Sequence, residues 1–317
     1  MLANAMADEE QKPQEAQQNP PGPPEPTGPP SPPDPAQPSI GERIRSSPIT
    51  FALAAINVAV FLWAESHGDT LKTGTLLRFG AVERIHVAAG EYWRLVTPMF
   101  LHIGWMHLLW NTYASVGWCT VVEKVLGKSR FLAVYLLSGI GGACASAVFH
   151  RATSAGASGA MFGIIGATLV LRYRVLGNFQ AFVADRFVRS NVANMAIWTV
   201  IGLTALSMDN FAHGGGLVVG ALTTFAATTA PAKRKMGWGA AIAFVVAFAV
   251  VAARPGWKPT GDDGEATAFY SILYSEGVEG FPKNVARADR MRALACRDPE
   301  SHACMLTKAP LPTSISQ

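Results

Sequence analysis

Three short polar stretches interrupt the apolar sequence, and their residue types suit nucleophilic catalysis. His107 and Asn111 lie four positions apart, which puts both on one face of a helix. A Gly-Ala-Ser-Gly turn surrounds Ser158, and a third, glycine-rich stretch begins at His213. A serine hydroxyl becomes a strong nucleophile when a neighbouring base takes its proton, and imidazole suits that task near neutral pH. The sequence therefore predicts Ser158 as the nucleophile and His213 as its base.

The residues around this pair suit the stabilisation of an oxyanion. Ser158 opens an apolar segment, so backbone N–H groups at a helix N-terminus would point towards the developing negative charge. His107 and Asn111 would add side-chain donors, and one such donor typically contributes about 10²–10³ in rate. Small residues would let neighbouring helices approach closely enough for serine to reach imidazole. In the fourth and sixth apolar segments they are Gly159, Gly163, Gly166, Gly216 and Gly220, with Gly156 in the turn itself.

Each stretch taken alone has a simpler explanation. The turn around Ser158 could be a helix-packing motif, and His107 and Asn111 could simply be residues that form hydrogen bonds between helices. His102 and His107 could instead be haem ligands, although a separation of five positions places them poorly on one helix face. All three stretches occur in order and at one expected depth, which favours catalysis.

Seven apolar segments must position these residues, and they predict an all-α polytopic membrane protein. Half of the 317 residues are apolar and only 15% are charged. Most segments approach the ~20 residues that cross ~30 Å of hydrocarbon as a helix, and backbone groups in lipid must be paired within a segment. The segments cover residues 48–65, 103–121, 130–149, 158–171, 192–208, 211–230 and 237–253.

Loop charges predict the orientation of these segments. The loops on one side carry 12 Lys and Arg residues against 5 on the other. The positive-inside rule therefore puts the N-terminus in the cytoplasm and, after seven crossings, the C-terminus outside. A rise of ~1.5 Å per residue then places His107, Ser158 and His213 roughly 3–9 Å below the outer membrane edge. Polar groups at that depth usually face a bundle interior or a water-filled cavity.

As a set, these motifs resemble the rhomboid family of intramembrane proteases over residues 48–230. The resemblance rests on the His107 and Asn111 pair, the Ser158 turn and the glycines after His213. It extends to the dipeptide Trp93-Arg94 in the long first loop. It also includes the link between segments two and three, with Glu123, Gly127, Phe131 and Tyr135.

The resemblance implies a six-helix bundle with one extra C-terminal helix, as in the six-plus-one subgroup. It implies a Ser158–His213 dyad rather than a triad, with an oxyanion site formed by the Ser158 N–H, His107 and Asn111. Phe162 would pack on the catalytic imidazole, or simply fill the core. The substrates would be transmembrane segments of other proteins, with small or helix-breaking residues near the outer edge, and no metal or cofactor would be required. A non-catalytic rhomboid-like scaffold is the alternative.

Asp209 is less expected beside these motifs. It lies one helical turn before His213 on the same face. It could be an N-capping residue, or a carboxylate that favours the protonated imidazole.

The two flanks differ in composition from the apolar region. Residues 1–38 hold 12 of the 21 prolines, so residues 1–47 are predicted to be a disordered cytoplasmic tail, solvated or bound by a proline-recognition domain. Residues 260–317 are predicted to be an extracytoplasmic tail with helices at 265–276 and 284–296, which together resemble a single Sel1-like repeat. Cys296 and Cys304 would lie outside, where a disulfide persists, or would remain free thiols.

The remaining assignments follow from charge and cysteine placement. A net charge of +4 without a basic, aromatic-interleaved stripe argues against nucleic-acid binding. Cys119 and Cys144 lie in apolar segments and are expected to be small core residues. The protease core is assigned to residues 48–230 and the seventh helix to 237–253, in a bacterial cell membrane, with the oligomeric state left open.

Overall fold

The computed structural model describes residues 39–204, 208–254, 256–278 and 280–308, so the predicted disorder of residues 1–38 lies outside it. Within these ranges the regular secondary structure is helical, apart from two isolated β-bridges, and the all-α prediction is confirmed. Two short 3-10 helices cover Tyr92–Leu95 and Thr97–Phe100. The α-helices are α1 (Ile40–Ser46), α2 (Pro48–Glu65), α3 (Thr73–Phe79), α4 (Arg84–Ala88), α5 (Gly104–Leu126), α6 (Lys128–Phe149), α7 (Ser158–Leu176), α8 (Phe179–Ala184), α9 (Arg186–Thr204), α10 (Asn210–Ala227), α11 (Pro231–Ala253), α12 (Asp262–Glu276), α13 (Val285–Ala295) and α14 (His302–Leu306).

The seven predicted segments correspond to α2, α5, α6, α7, α9, α10 and α11, but several ends differ. Helix α7 continues five residues past the predicted end to Leu176, where Gly177 in the left-handed conformation stops it. Helix α11 begins at Pro231 rather than at 237, because proline fits the first turn of a helix. The link between the fourth and fifth predicted segments contains α8 and the start of α9.

Four of the described helices, α2, α6, α7 and α11, are long and apolar enough to cross a membrane by those criteria alone. Helices α5 and α10 contain the histidines discussed above, and α9 begins with two arginines, Arg186 and Arg189, which lowers its apolar character. Large apolar side chains such as Leu109 and Phe225 still point outward from α5 and α10. This arrangement is the one expected for a helical bundle whose outer surface contacts lipid.

Helix α10 packs against both α7 and α6 with almost no side chains between the backbones. A Cβ added at Gly216 would come within 1.9 Å of the Gly159 carbonyl oxygen. One added at Gly220 would come within 2.1 Å of the Gly163 oxygen, and one at Gly215 within 2.7 Å of the Gly141 oxygen. The predicted close approach of segments four and six is therefore present, and α6 takes part in it as well.

The chain before the first long helix is ordered further than predicted. Residues 40–46 were assigned to the disordered tail, yet they form α1, because Ser39 and Glu42 make a reciprocal capping box. Buried Glu123 on α5 accepts the backbone N–H groups of Ile49 (3.0 Å) and Thr50 (2.8 Å). Glu123 thus caps the N-terminus of α2 and ties the two helices together.

Two further units complete the described chain. The first loop, residues 66–103 between α2 and α5, contains α3, α4 and both 3-10 helices. The C-terminal hairpin, residues 262–306, consists of α12 and α13, close to the predicted pair, followed by α14. A disulfide joins Cys296 at the end of α13 to Cys304 in α14. The likeness to a Sel1-like repeat stays a prediction.

Candidate active site

Ser158 and His213 meet at the N-terminal ends of two adjacent helices. Ser158 is the first residue of α7 and His213 lies in the first turn of α10. The Nε2 atom of His213 is 3.0 Å from the Oγ atom of Ser158, within hydrogen-bond distance, and His213 is only 4% exposed. The pair therefore has the contact that proton transfer from hydroxyl to imidazole requires.

Phe162 fixes the plane of this imidazole. It lies one turn after Ser158 on α7, and its ring stacks on that of His213 with centroids 4.1 Å apart and planes 3° from parallel. The tight backbone contact between Gly216 and Gly159 holds the two helices at this separation. The aromatic contact expected from the resemblance is thus present.

His107 faces the same place from α5. Its Nδ1 atom accepts the Ile103 N–H at 3.2 Å, so the neutral ring carries its proton on Nε2 and can donate from there. A Cβ added to Gly156 would lie 3.0 Å from that Nε2 and 3.6 Å from the Ser158 Oγ. Gly156, with φ of +140°, therefore leaves a space open between the two side chains.

Asn111 lies one turn further along α5 and is 7% exposed. Its Nδ2 atom donates to the His107 carbonyl oxygen at 2.9 Å, which uses one of its two N–H groups. The other N–H remains available to an oxyanion, so the assigned role stays a prediction. His102 is buried, and its ring meets that of His107 edge to face with centroids 5.4 Å apart.

Arg94 and Trp93 lie in the first loop and contribute structure rather than chemistry. Arg94 is fully buried, and its guanidinium donates to the carbonyl oxygens of Ala81 and Leu77 at 2.8 Å each and to Glu91 at 2.7 Å. The half-exposed Trp93 ring covers that guanidinium, with the Arg94 Cζ 4.5 Å from its centroid. Arg94 therefore holds the loop together from inside.

The first loop also supports the strand-like segment that leads to Ser158. Val82 and Ser154 exchange two backbone hydrogen bonds of 2.9 Å each. The Gly156 N–H donates to the Pro98 carbonyl oxygen, also at 2.9 Å. Two anchors from this loop thus fix the backbone within four residues of Ser158.

Asp209 caps α10, as the first of its two interpretations predicted. Its Oδ1 atom accepts the Ala212 N–H at 2.9 Å, and the same carboxylate lies 3.9 Å from the His150 Nδ1 atom. Capping puts a negative charge at the positive end of the helix that carries His213.

A cavity of about 20 Å³ lies beside Ser158. Its walls include Met99 from the first loop, Gly142 from α6 and Ala212 from α10. The sequence interpretation missed Met99 and Gly142. The run Gly139, Gly141 and Gly142 in the third segment was the available signal, because several glycines in a membrane helix mark a close contact.

Fold and site together define a helical membrane protein with a serine and a histidine paired inside its bundle. Residues 89–230 match the family model of the Rhomboid domain. The chain is 43% identical to the Rhomboid protease GluP of Bacillus subtilis, over 54% of this chain and 33% of that protein. It is 36% identical to RHOMBOID-like protein 6, mitochondrial, of Arabidopsis thaliana (52% of this chain, 53% of the other). It is 30% identical to the Putative rhomboid protease YdcA of Bacillus subtilis (57% and 89%). The chain belongs to the rhomboid family.

The matches have a limited extent on both sides. The chain spans about a third of GluP and about half of the Arabidopsis protein. The matched domain ends at residue 230, so α11 and the C-terminal hairpin lie beyond it.

Proposed function

We propose that this protein is an intramembrane serine endopeptidase that uses Ser158 and His213 as a catalytic dyad. The observation that carries the proposal is the 3.0 Å contact between the His213 Nε2 and Ser158 Oγ atoms. Membership of the rhomboid family and relatives named as rhomboid proteases support it. The alternative function, a non-catalytic scaffold, does not require the imidazole of His213 to be fixed in one orientation by stacking on Phe162.

The geometry suggests the order of steps. Ser158 Oγ attacks the scissile carbonyl carbon while His213 Nε2 takes the hydroxyl proton. The carbonyl oxygen becomes an oxyanion in the space beside Gly156, where the Ser158 N–H, His107 Nε2 and the free Asn111 N–H can donate to it. His213 then protonates the leaving amine, and a water activated by the same imidazole hydrolyses the acyl-enzyme.

The space beside Ser158 favours substrates with a small side chain at the scissile residue. A volume of about 20 Å³ accommodates little more than one water-sized group, which favours a small side chain there. The carbonyl of a transmembrane helix is hydrogen-bonded within the helix, so the substrate must unwind before attack. Small or helix-breaking residues in a membrane-spanning partner are the proposed targets.

The proposed location is a bacterial cell membrane, with residues before α2 in the cytoplasm. The C-terminal hairpin packs on the first loop, which follows the first crossing, so both lie on one side of the bundle. An odd number of crossings between residues 48 and 253 agrees with that contact. Together with the loop charges, this contact supports a location outside the cell for the hairpin and the site opening.

Covalent labelling of the purified protein with a fluorophosphonate probe tests the dyad. We expect Ser158→Ala to abolish labelling, and His213→Ala to lower labelling and cleavage of a model transmembrane substrate by about 10⁴-fold or more. Ser190→Ala, an exposed serine on α9, is the matched control and should retain both activities. Persistent labelling of Ser158→Ala, or no cleavage by the parent chain, would favour the scaffold. An absorbance scan of the same sample tests the haem alternative.

A further inference from the structure

The C-terminal hairpin shares an apolar core with the first loop. Ile85 and Ala88 of α4 pack with a group of buried hairpin residues: Tyr274, Ala288, Met291 and Leu294. Met291 is fully buried and Ile85 is 2% exposed. Both surfaces would be exposed if the hairpin were released, so their burial favours a docked hairpin.

Polar contacts fix the position of this docked hairpin. The Nε2 atom of buried His86 lies 3.0 Å from the Tyr274 hydroxyl, and its Nδ1 lies 2.8 Å from Glu83. Arg84 and Asp263 form an ion pair between α4 and α12. These contacts have defined geometry, so they specify one docked arrangement rather than a loose apolar association.

Glu91 connects the hairpin to the interior of the first loop. Its Oε1 atom accepts Arg287 Nε at 2.6 Å and Arg290 Nη2 at 3.2 Å, while its Oε2 accepts Arg94 Nε at 2.7 Å. The carboxylate is 2% exposed. Burial alone would raise the pKa of Glu91, but Arg94 and Arg287 beside it hold that pKa below its usual value. Glu91 therefore stays ionised and binds guanidinium groups from both sides.

Hydrogen bonds and short stretches of backbone connect Glu91 to the residues before Ser158. Arg94 donates to the Ala81 carbonyl at 2.8 Å. The next residue, Val82, pairs with Ser154 through two bonds of 2.9 Å. Ser154, four residues before Ser158, is thus paired with a loop segment that Arg94 holds in place. Arg94 in turn binds Glu91, the same carboxylate that the hairpin binds.

We propose that the C-terminal hairpin is a positioning module for the active site, acting through the Arg287 and Arg290 contacts with Glu91. The inference rests on the proposed protease function. Glu91 and Arg94 lie inside the matched Rhomboid domain, whereas both hairpin arginines lie outside it. The hairpin stabilises the first loop, and the loop in turn holds Ser158 in line with His213.

The test compares the parent chain with the double variant Arg287→Gln/Arg290→Gln. Both substitutions keep polar side chains and change none of the buried apolar residues, so the chain should fold, although Arg287→Gln also removes the guanidinium over the Tyr274 ring. The control is Arg292→Gln, since Arg292 lies on the same helix in an exposed pair with Asp289. Readouts are kcat and KM for a model transmembrane substrate, with amide hydrogen exchange over residues 81–95 and 150–158.

We expect the double variant to lose about tenfold in kcat with KM unchanged, and to exchange faster in both segments, while the control matches the parent. Faster exchange with unchanged kcat would overturn the proposal, because the hairpin would then stabilise the loop without positioning the site. Unchanged exchange in both segments would overturn it as well. If the parent chain neither reacts with the probe nor cleaves the substrate, the protease assignment is refuted. The exchange data would still report whether the hairpin stabilises the loop, so the two failures can be distinguished.

Discussion

Gly156 keeps open the space between His107, a candidate oxyanion donor, and Ser158, the proposed nucleophile. With a φ of +140°, its backbone has a conformation that residues with side chains rarely adopt. Because Gly156 has no Cβ, the space between His107 and Ser158 stays empty. A single methyl group there would occupy the site proposed for the oxyanion. The proposed chemistry should therefore be sensitive to any side chain at position 156.

We expect Gly156→Ala to lower the rate of Ser158 labelling by at least about 10²-fold, which is the effect of losing one oxyanion donor. The added Cβ would lie 2.7 Å from the His107 Cε1 atom and would displace that ring. Gly177→Ala is the control, since its φ is also positive (+77°) but open space surrounds it. Equal loss of labelling in both variants would show that backbone strain, not the position beside His107, is responsible.

His86 gives the hairpin contact a dependence on pH. Burial lowers the pKa of His86, although Glu83 acts in the opposite direction. The groups that face it are Glu83, the Tyr274 hydroxyl and the Tyr270 ring, with Arg94 and Glu91 nearby. Below pH about 6.5, the pKa of an unperturbed histidine, His86 therefore binds more protons in the unfolded chain than in the folded one. The stability that neutral His86 contributes is complete above that pH and is lost as the pH falls towards the lower pKa of the folded state.

We therefore expect the Tm of the purified protein to fall between pH 7 and pH 5, and His86→Gln to reduce that slope. His67→Gln is the control, because His67 lies in the same loop but is exposed. An unchanged slope in His86→Gln would assign the pH dependence to other groups.

At the scale of elements, α10 positions the imidazole because its glycines let α6 and α7 approach it on two sides. The sequence alone predicted seven helices, the three polar stretches and the contact between segments four and six. It could not predict that α6 packs there too, since a run of glycines marks a contact surface but does not say which helix covers it. Helix ends such as Leu176 and Pro231 shifted because local capping, not apolar content, sets them.

Gly216→Ala should separate α7 from α10. The new Cβ would lie 1.9 Å from the Gly159 carbonyl oxygen, a backbone atom that cannot move alone, so we expect a cost of about 1–3 kcal/mol or more. Labelling of Ser158 should fall with it. Gly214→Ala on the same helix meets nothing within 4 Å and should keep both Tm and labelling near the parent values. A Gly216→Ala protein with parental labelling would contradict the close-packing explanation.

At the scale of the whole molecule, the first loop and the C-terminal hairpin pack together although helices α5 to α11 separate them in the sequence. Composition predicted two tail helices and the disulfide partners, but not where they dock. Docking depends on contacts between residues nearly 200 positions apart, such as Glu91 and Arg287, and no local pattern encodes such a pair.

The disulfide between Cys296 and Cys304 should stabilise the hairpin rather than the bundle. Closing this short loop is worth about 2–3 kcal/mol in the chain-entropy account. Reductant should therefore speed amide exchange in α14 and at the end of α13, with little change in α5 to α10. The Cys296→Ser/Cys304→Ser variant should already exchange at that faster rate and should not respond to reductant. A response of this variant to reductant would contradict the assignment.

The contact between Glu91 and Arg287 also sets an order for biosynthesis. The ribosome adds Arg287 196 residues after Glu91, which at about 5–20 residues per second means a delay of about 10–40 s. During that interval the ribosome makes α5 to α11, while the first loop still lacks its partner. Under the proposed role of the hairpin, a newly made molecule would therefore gain this support for the candidate site only after α13 has been synthesised.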